Sequence, residues 1–408
     1  MSLILPLSFF SSVNPPTTIG NVIYDIITFG TSTPYPDSNF YFGGTQIISG
    51  TTSGTTSGIG LLNASDNLDT TFKPAINYSG SSSDISTAVV SSGSSGNYKF
   101  IIGGRFNAPS IGGGVDASNL AIVNLSSTGG LFVQSIANPP GSMVYGVELS
   151  DRLYVVGTFL GPTSYLASYE ITGVAPSRPT SFNWSLNRGA LCVKSDGSGN
   201  IFIGGVFTTV IDSVGTNFNR KAIAKFNTSG TGSLITNFNP ASIFTAPLAQ
   251  VSHIEIMSDN RVILASRFNS DTRKDLIRLP EIVSDTSTSF ESFQDVIGLT
   301  IASVTAIKID NNGKLLACIE VFNSLNIDVR LYRFNISGIG PITLDTSFGS
   351  GNAFLTVEGD DVNINKYIYT ISVDSQNNII LGGNFTKIDT VARQFYAVLD
   401  NSGALLNR

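Results

Sequence analysis

Charge is scarce in this chain. Acidic and basic residues make up 13% of its 408 residues, against about 25% in a usual soluble protein. Lys and Arg number 23 against 29 Asp and Glu, and the first basic residue is Lys73. A nucleic-acid binder needs a phosphate-neutralising basic surface. The densest basic run, RKDLIR at Arg273 to Arg278, is short and interrupted, so DNA and RNA binding are excluded. Histidine occurs once, as His253, which rules out an HExxH zinc site. Any Ser-His-Asp triad would have to centre on that residue. It sits in VSHIEIM, an expected inner strand, and reads as structural rather than as a general base. The two cysteines, Cys192 and Cys318, form no spaced framework and read as buried free thiols. There is no Walker A sequence and no CxxC, and GGGVDAS at Gly112 to Ser118 is a loop rather than a dinucleotide fingerprint. No apolar run reaches the 18 or so residues of a membrane span. The start MSLILPLSFF has no basic n-region and no A-x-A-like site after it. The expectation is cytoplasmic synthesis with no membrane insertion.

What the chain has is a repeat. A short apolar strand runs into a glycine-rich, aromatic-terminated step at IIGGRF (Ile101 to Phe106), FIGGVF (Phe202 to Phe207) and ILGGNF (Ile380 to Phe385). Weaker copies lie near Gly43 and end at Phe159, Phe268 and Phe322. A recurrence of roughly 50 to 60 residues marks a propeller or solenoid. The last unit shows the grammar: TISVDSQNNIILGGNF is strand, turn and strand, and QFYAVLD (Gln394 to Asp400) is a third strand. Asp, Asn, Ser and Gly at its turns suit tight hairpins. A trailing LDTTF at Leu68 or LDTSF at Leu344 can add a fourth strand, completing a blade. The fold expected is therefore all-β, a single seven-bladed β-propeller of four-stranded antiparallel blades over residues 1–408. Residues 1–20 would be lead-in and closing strand, with the repeats from about 21 onward. The final SGALLNR lacks a trailing LDTSF, so Leu3 to Val13 are expected to supply the last blade's missing strand and close the ring.

The glycine step has a packing explanation. Glycines Gly103, Gly104, Gly204, Gly205, Gly382 and Gly383 let a neighbouring backbone approach, and Phe106, Phe207 and Phe385 fill the space between blades. An anion-binding nest is the alternative for a repeated Gly-Gly.

These residues resemble a known family. GNIFIGGVF, RKAIAKFNTSGTGSL, NNIILGGNF, RQFYAVLDNSGAL and LDTSFGSG are similar to the repeats of the delta-60 repeat β-propellers. The likeness covers most of the chain and is strongest in units four and seven. Unit one follows Gly44 with Thr45-Gln46, and units five and six replace the glycines with Ala265-Ser266 and Cys318-Ile319. The resemblance implies a propeller with a binding or structural role and carries over no catalytic residues.

Two constellations stand out as sites. In EGDDVNINKY, Asp361, Asn363 and Asn365 alternate as calcium-loop ligands do, with Glu358 and Asp360 adding charge; alternation is also ordinary strand geometry. Aligned inner strands place Glu148, Lys194, Glu255, Lys308 and Ser372 at one level with alternating sign, consistent with a ring of inter-blade ion pairs or with solvated channel residues. No cofactor is implied. The functional expectation is a non-enzymatic structural or binding module of a virion (tail, fibre or capsid surface), docking to other protein subunits or to a cell-surface glycan or protein receptor. The alternatives are a bacterial surface or secreted lectin-like or protein-binding propeller, and a glycan-active enzyme using axial Glu148 and Glu255. The only tryptophan, Trp184 in SFNWS, falls at an expected blade edge.

Overall fold

The computed structural model describes residues 23–28, 39–43, 59–62, 84–92, 98–108, 117–125, 131–135, 140–161, 163–171, 182–244, 249–265, 276–281, 290–323, 326–338, 340–359, 366–393 and 395–406. Across them the chain is all-β, with helix confined to the five-residue Phe293–Ile297 and a 3-10 turn at Ala241–Ile243. Antiparallel up-and-down sheets follow one another in chain order, a propeller-like succession. The first joins Ile23–Thr28, Asn39–Gly43 and Ile59–Leu62. The second joins Asp84–Ser92, Tyr98–Ala108, Ala117–Leu125 and Leu131–Ser135. The third is Val144–Leu149, Leu153–Gly157 and Leu166–Tyr169. The fourth is Ala190–Ser195, Asn200–Gly205, Ile223–Asn227 and Ser233–Leu234. The fifth is His253–Ile256, Val262–Ala265, Leu276–Leu279 and Glu291–Ser292. The sixth begins Ile301–Ile309, Lys314–Asn323 and Asn326–Asn335, with Thr343–Leu344 pairing on the last. The seventh is Tyr367–Val373, Ile379–Asn384 and Tyr396–Leu399. Strand Phe354–Glu358 also pairs with Asn326–Asn335, and then with Lys387–Ile388.

The chain divides into two compact units, one of residues 135–304 and one of residues 1–134 with 305–408. In the second of these, the inner strand Ile23–Thr28 of the first sheet lies against both Tyr367–Val373 and Asp84–Ser92. The earliest and latest described sheets are thus neighbours. In the unit of 135–304, Ala190–Ser195 lies likewise between Val144–Leu149 and His253–Ile256.

Middle strands are buried on both faces and read as continuous apolar runs. Ile201 and Ile203 join a core with Tyr154, Val156 and Leu166 of the third sheet, while Phe202 turns to the fifth sheet with Val251, Ile254 and Leu264. Phe207 is fully buried in the first of these cores. Phe385 packs with Leu316, Val329 and Leu331 of the sixth sheet. Each ring occupies the space between successive sheets, where a buried Phe contributes roughly 1.5–3 kcal/mol.

The two glycines of the step do different work. Five inner strands slip register at the same point: between Ile23 and Asp25, Ile85 and Thr87, Val144 and Gly146, Ala190 and Cys192, and Ile368 and Thr370. Such a bulge leaves one extra residue on that strand and increases its twist. The bulged backbone crosses against the second glycine. A Cβ on Gly205 would meet Gly189 O at 2.4 Å and Ala190 Cα at 2.7 Å, and one on Gly383 would meet Tyr367 O at 2.1 Å. The first glycine faces elsewhere: a Cβ on Gly204 would meet Cys192 Sγ at 2.6 Å and Val251 Cγ1 at 2.7 Å, the latter on the approach to the fifth sheet.

Turns follow one chemistry. Asp196 Oδ1 accepts the N–H groups of Ser198 and Asn200 while its Oδ2 accepts Asn200 Nδ2. Asp374 repeats this with Gln376 and Asn378, and Asp400 takes the N–H groups of Ser402 and Ala404. An aspartate that captures amides two and four residues on is an Asx-type turn former.

The turn at Asp400 bears on closure. Leu405 bridges Leu399 and Leu406 N–H donates to Val398 O. SGALL therefore folds back as TGSL (Thr231 to Leu234) does in the fourth sheet, where Leu234 pairs with Phe226. Leu405 and Leu406 thus meet the Leu399 end of the outer edge of Tyr396–Leu399. Leu3 to Val13 themselves lie outside the described residues, as does the LDTTF segment at Leu68.

Candidate functional site along the inner strands

An innermost strand is paired on one edge only, and the amides and carbonyls of its other edge must find partners elsewhere. Side chains of neighbouring inner strands provide them. Asp25 Oδ2 accepts the N–H of Ala88 at 2.8 Å, and Glu148 Oε1 accepts that of Ser195 at 3.0 Å. The two carboxylates repeat one geometry. Asp25 and Thr87 both follow the bulge of their strands, and Glu148 and Lys194 lie two residues further on in theirs. Each carboxylate thus reaches one residue beyond its own level on the next strand. Carbonyls are served too: Thr305 Oγ1 donates to Ile368 O at 2.7 Å, and Thr28 Oγ1 donates to Val373 O at 3.3 Å.

The expected charge level is distributed as follows. Lys194 Nζ meets Glu255 Oε1 at 3.3 Å, an ion pair between the fourth and fifth sheets. Glu148 binds backbone on the fourth sheet. Ser372 Oγ lies 3.3 Å from Thr28 Oγ1, and the charge of Lys308 acts on Asp25. Asp25 was not singled out in the sequence. Its signal is there, as a lone acid inside the apolar run VIYDII.

His253 stands on the inner strand of the fifth sheet with Nδ1 3.0 Å from Ser252 Oγ. Desolvation lowers its pKa to about 4, against the pull of Glu255, so the imidazole is neutral at physiological pH. Both cysteines are free. Burial pushes the Cys192 thiol up to about 12 and the Cys318 thiol up to about 11, so neither is a thiolate nucleophile near neutrality. Trp184 is not an open platform: its ring packs against Phe218 and Phe226 at 5.8 and 5.3 Å.

A second charged cluster lies in the sixth sheet. Asp345 of LDTSF accepts Lys314 Nζ at 2.7 Å, Arg333 Nε at 2.6 Å and Ser347 Oγ at 2.6 Å. Desolvation opposes its ionisation, but these bonds together hold the carboxyl well below the usual range. Arg333, only 2% exposed, lies over the Phe348 ring and also binds Asn401 of the next turn. The sequence reading gave LDTSF a strand role only; Leu344 does pair with Phe334, and the following Asp anchors the strand.

Asp361, Asn363 and Asn365 lie outside the described residues. Among the described residues no group of three or more His, Cys, Asp or Glu side chains is arranged to hold a metal, and no helix is long and apolar enough to cross a membrane.

No family model and no curated protein matches the chain. Among solved structures it is similar to the extracellular domain of a hybrid two component system from B. thetaiotaomicron, at a TM-score of 0.50 and 13% identity. That match covers 91% of this chain and 38% of the other, so the chain spans well under half of that structure. At this identity the likeness speaks for the fold alone. Weaker likenesses are to PorZ, a bacterial surface component of the type-IX secretion system of Porphyromonas gingivalis (TM-score 0.35, 13% identity, 95% of this chain and 64% of that). Another is to an endo-1,5-alpha-L-arabinanase from Thermotoga petrophila (TM-score 0.32, 12% identity, 95% and 91%). The structure matched at a TM-score of 0.50 is a bacterial extracellular domain, not a virion protein, and that match overturns the expectation of a phage or virus tail, fibre or capsid component.

Proposed function

We propose that this chain is a bacterial surface or secreted binding propeller, its sheets closing into one seven-bladed ring of delta-60-like repeats. Its ligand would be a glycan or protein recognised by the connecting loops, and it works without turnover. The observation that carries this reading is how the inner-strand polar groups are used. Lys194 is held by Glu255, and Glu148 by a backbone amide of the next sheet. Glu148 and Glu255, the aligned candidates for glycoside chemistry, which needs an acid and a base or nucleophile about 5 to 10 Å apart, are both engaged in joining strands. The fold match to an extracellular domain supports the placement outside the cytoplasm. Stretches of sequence rich in Ser, Thr, Gly and Asn, such as SGTTSGTTSG from Ser49, carry neutral hydrogen-bonding groups suited to polar ligands.

A glycan array and an assay for hydrolysis of arabinan and galactan, run on the same purified protein, test the proposal. Saturable binding without product is expected. Hydrolysis that disappears in Glu148→Gln or Glu255→Gln would establish an enzyme instead.

A further inference from the structure

Among the described residues the exposed large apolar side chains are Leu160, Val214, Phe322, Ile327 and Val391. All stand at a connection from the second to the third strand of a sheet. These connections are pinned at their ends. Tyr165 N–H donates to Phe159 O at 2.9 Å, Ala222 N–H to Phe207 O at 2.8 Å and Phe395 N–H to Phe385 O at 2.9 Å. Each closing residue is left-handed, at φ 68°, 64° and 66°. Its carbonyl in turn accepts the N–H of Gly157, Gly205 or Gly383.

Within residues 135–304, two of these connections are fastened to one strand. Ser185–Leu186 pairs with Val210 and Ile211 of the fourth-sheet connection. Toward the third sheet, Leu186 N–H donates to Ser164 O at 3.1 Å and Ser164 N–H to Ser185 Oγ at 3.3 Å. Leu160 is 70% exposed on one connection and Val214 is 84% exposed on the other. We propose, resting on the binding role given above, that these two connections form a docking ridge whose Leu160 and Val214 enter an apolar surface of a partner protein.

The use of the polar groups favours a protein over a glycan. Asn187 Oδ1 accepts the N–H groups of Thr208 and Thr209, and its Nδ2 donates to Thr208 Oγ1. Asp212 Oδ1 accepts those of Val214 and Thr216. These side chains hold the loop's own shape, and the Trp184 and Phe218 rings pack on each other. Val214 is the large side chain left outward at the tip, an aliphatic group with no ring face on which a sugar can stack. Exposed apolar side chains gathered on one kind of connection mark a protein contact. A backbone fixed before contact also loses little entropy on binding.

The test is panning of the full-length protein with a random peptide library displayed on phage. Selected peptides are titrated against wild type, Leu160→Ser, Val214→Ser, the double variant and Val391→Ser. Both single variants on the ridge should bind roughly ten-fold or more weakly, and Val391→Ser as wild type does. Urea midpoints should not fall, because neither ridge side chain is buried. Asn187→Ala should weaken binding by about three- to ten-fold by freeing the loop, and Asn187→Asp, which keeps both acceptor bonds, should restore most of it. Selection of no peptide, or of peptides that bind the double variant as well as wild type, overturns the ridge and leaves the binding role to the glycan array. A glycan-array signal lost in the double variant would assign the ridge to a sugar. Self-association lost in that variant would assign it to a second copy. Either result overturns the proposal.

Discussion

The third and fourth sheets solve one steric problem from opposite sides. In the fourth, Cys192 on the bulged inner strand pairs with Gly204. In the third, the glycine has changed strands: Gly146 pairs with Val156, and a Cβ on Gly146 would meet Val156 Cγ2 at 2.9 Å. In these two sheets one partner of the pair is glycine and the other is large, whereas the first sheet pairs Asp25 with Phe42 at the same point. The next position allows no such exchange. Gly157 and Gly205 both face the carbonyl of the bulged strand, at 2.1 and 2.4 Å from where a Cβ would sit. A clash with a side chain can be relieved by trading sizes across the ladder, whereas a clash with backbone can be relieved only by glycine.

The sharpest way to break this comparison is Gly205→Ala beside Gly204→Ala. Gly205→Ala is expected to cost about 3 kcal/mol or more in urea unfolding, because the bulge itself must move. Gly204→Ala should cost less, since two of its three nearest atoms belong to side chains, Cys192 and Val251. Equal costs would show that the bulge is not what fixes the second glycine. Next in size is Gly146→Cys, which should lose about 2 kcal/mol alone and recover at least half of it when combined with Val156→Gly, rebuilding the fourth-sheet pair in the third. Additive losses would deny that the pair is exchangeable. Smaller again is Cys192→Ala, at about 1 kcal/mol for a thiol lost from a packed step. The same thiol, with its pKa pushed up to about 12, should label slowly with iodoacetamide at pH 8 in native protein and promptly in urea. The least effect is expected from Lys194→Met. An ion pair whose lysine is 30% exposed should change stability by under about 1 kcal/mol, and salt should weaken it.

The sequence showed the repeat because Gly-Gly-x-Phe marks a fixed packing need in every strong copy. It concealed the cause, since a bulge adds a residue to the inner strand, where no glycine signals it: Tyr145, Leu191 and Tyr369 occupy the extra position. Turn aspartates such as Asp196 and Asp374 were legible as turns because their side chains act within five residues. Asp345 was less so, since Arg333 and Lys314 come from other strands of its sheet. Asp25 was hidden most completely, because its partners Ala88 and Thr370 are brought to it only by folding. The alternating signs at Glu148, Lys194 and Glu255 were visible, but sign alone could not tell a carboxylate that meets an ammonium from one that meets an amide.

The bond between Asp25 and Thr370 spans 345 residues of sequence. On a ribosome adding about 5–20 residues per second, the first sheet would wait tens of seconds for the strand it must meet. Residues 135–304 form a continuous unit and can settle in that interval. Synthesis therefore leaves the opening strands, with the apolar run VIYDII among them, as the part of the nascent chain most in need of a chaperone.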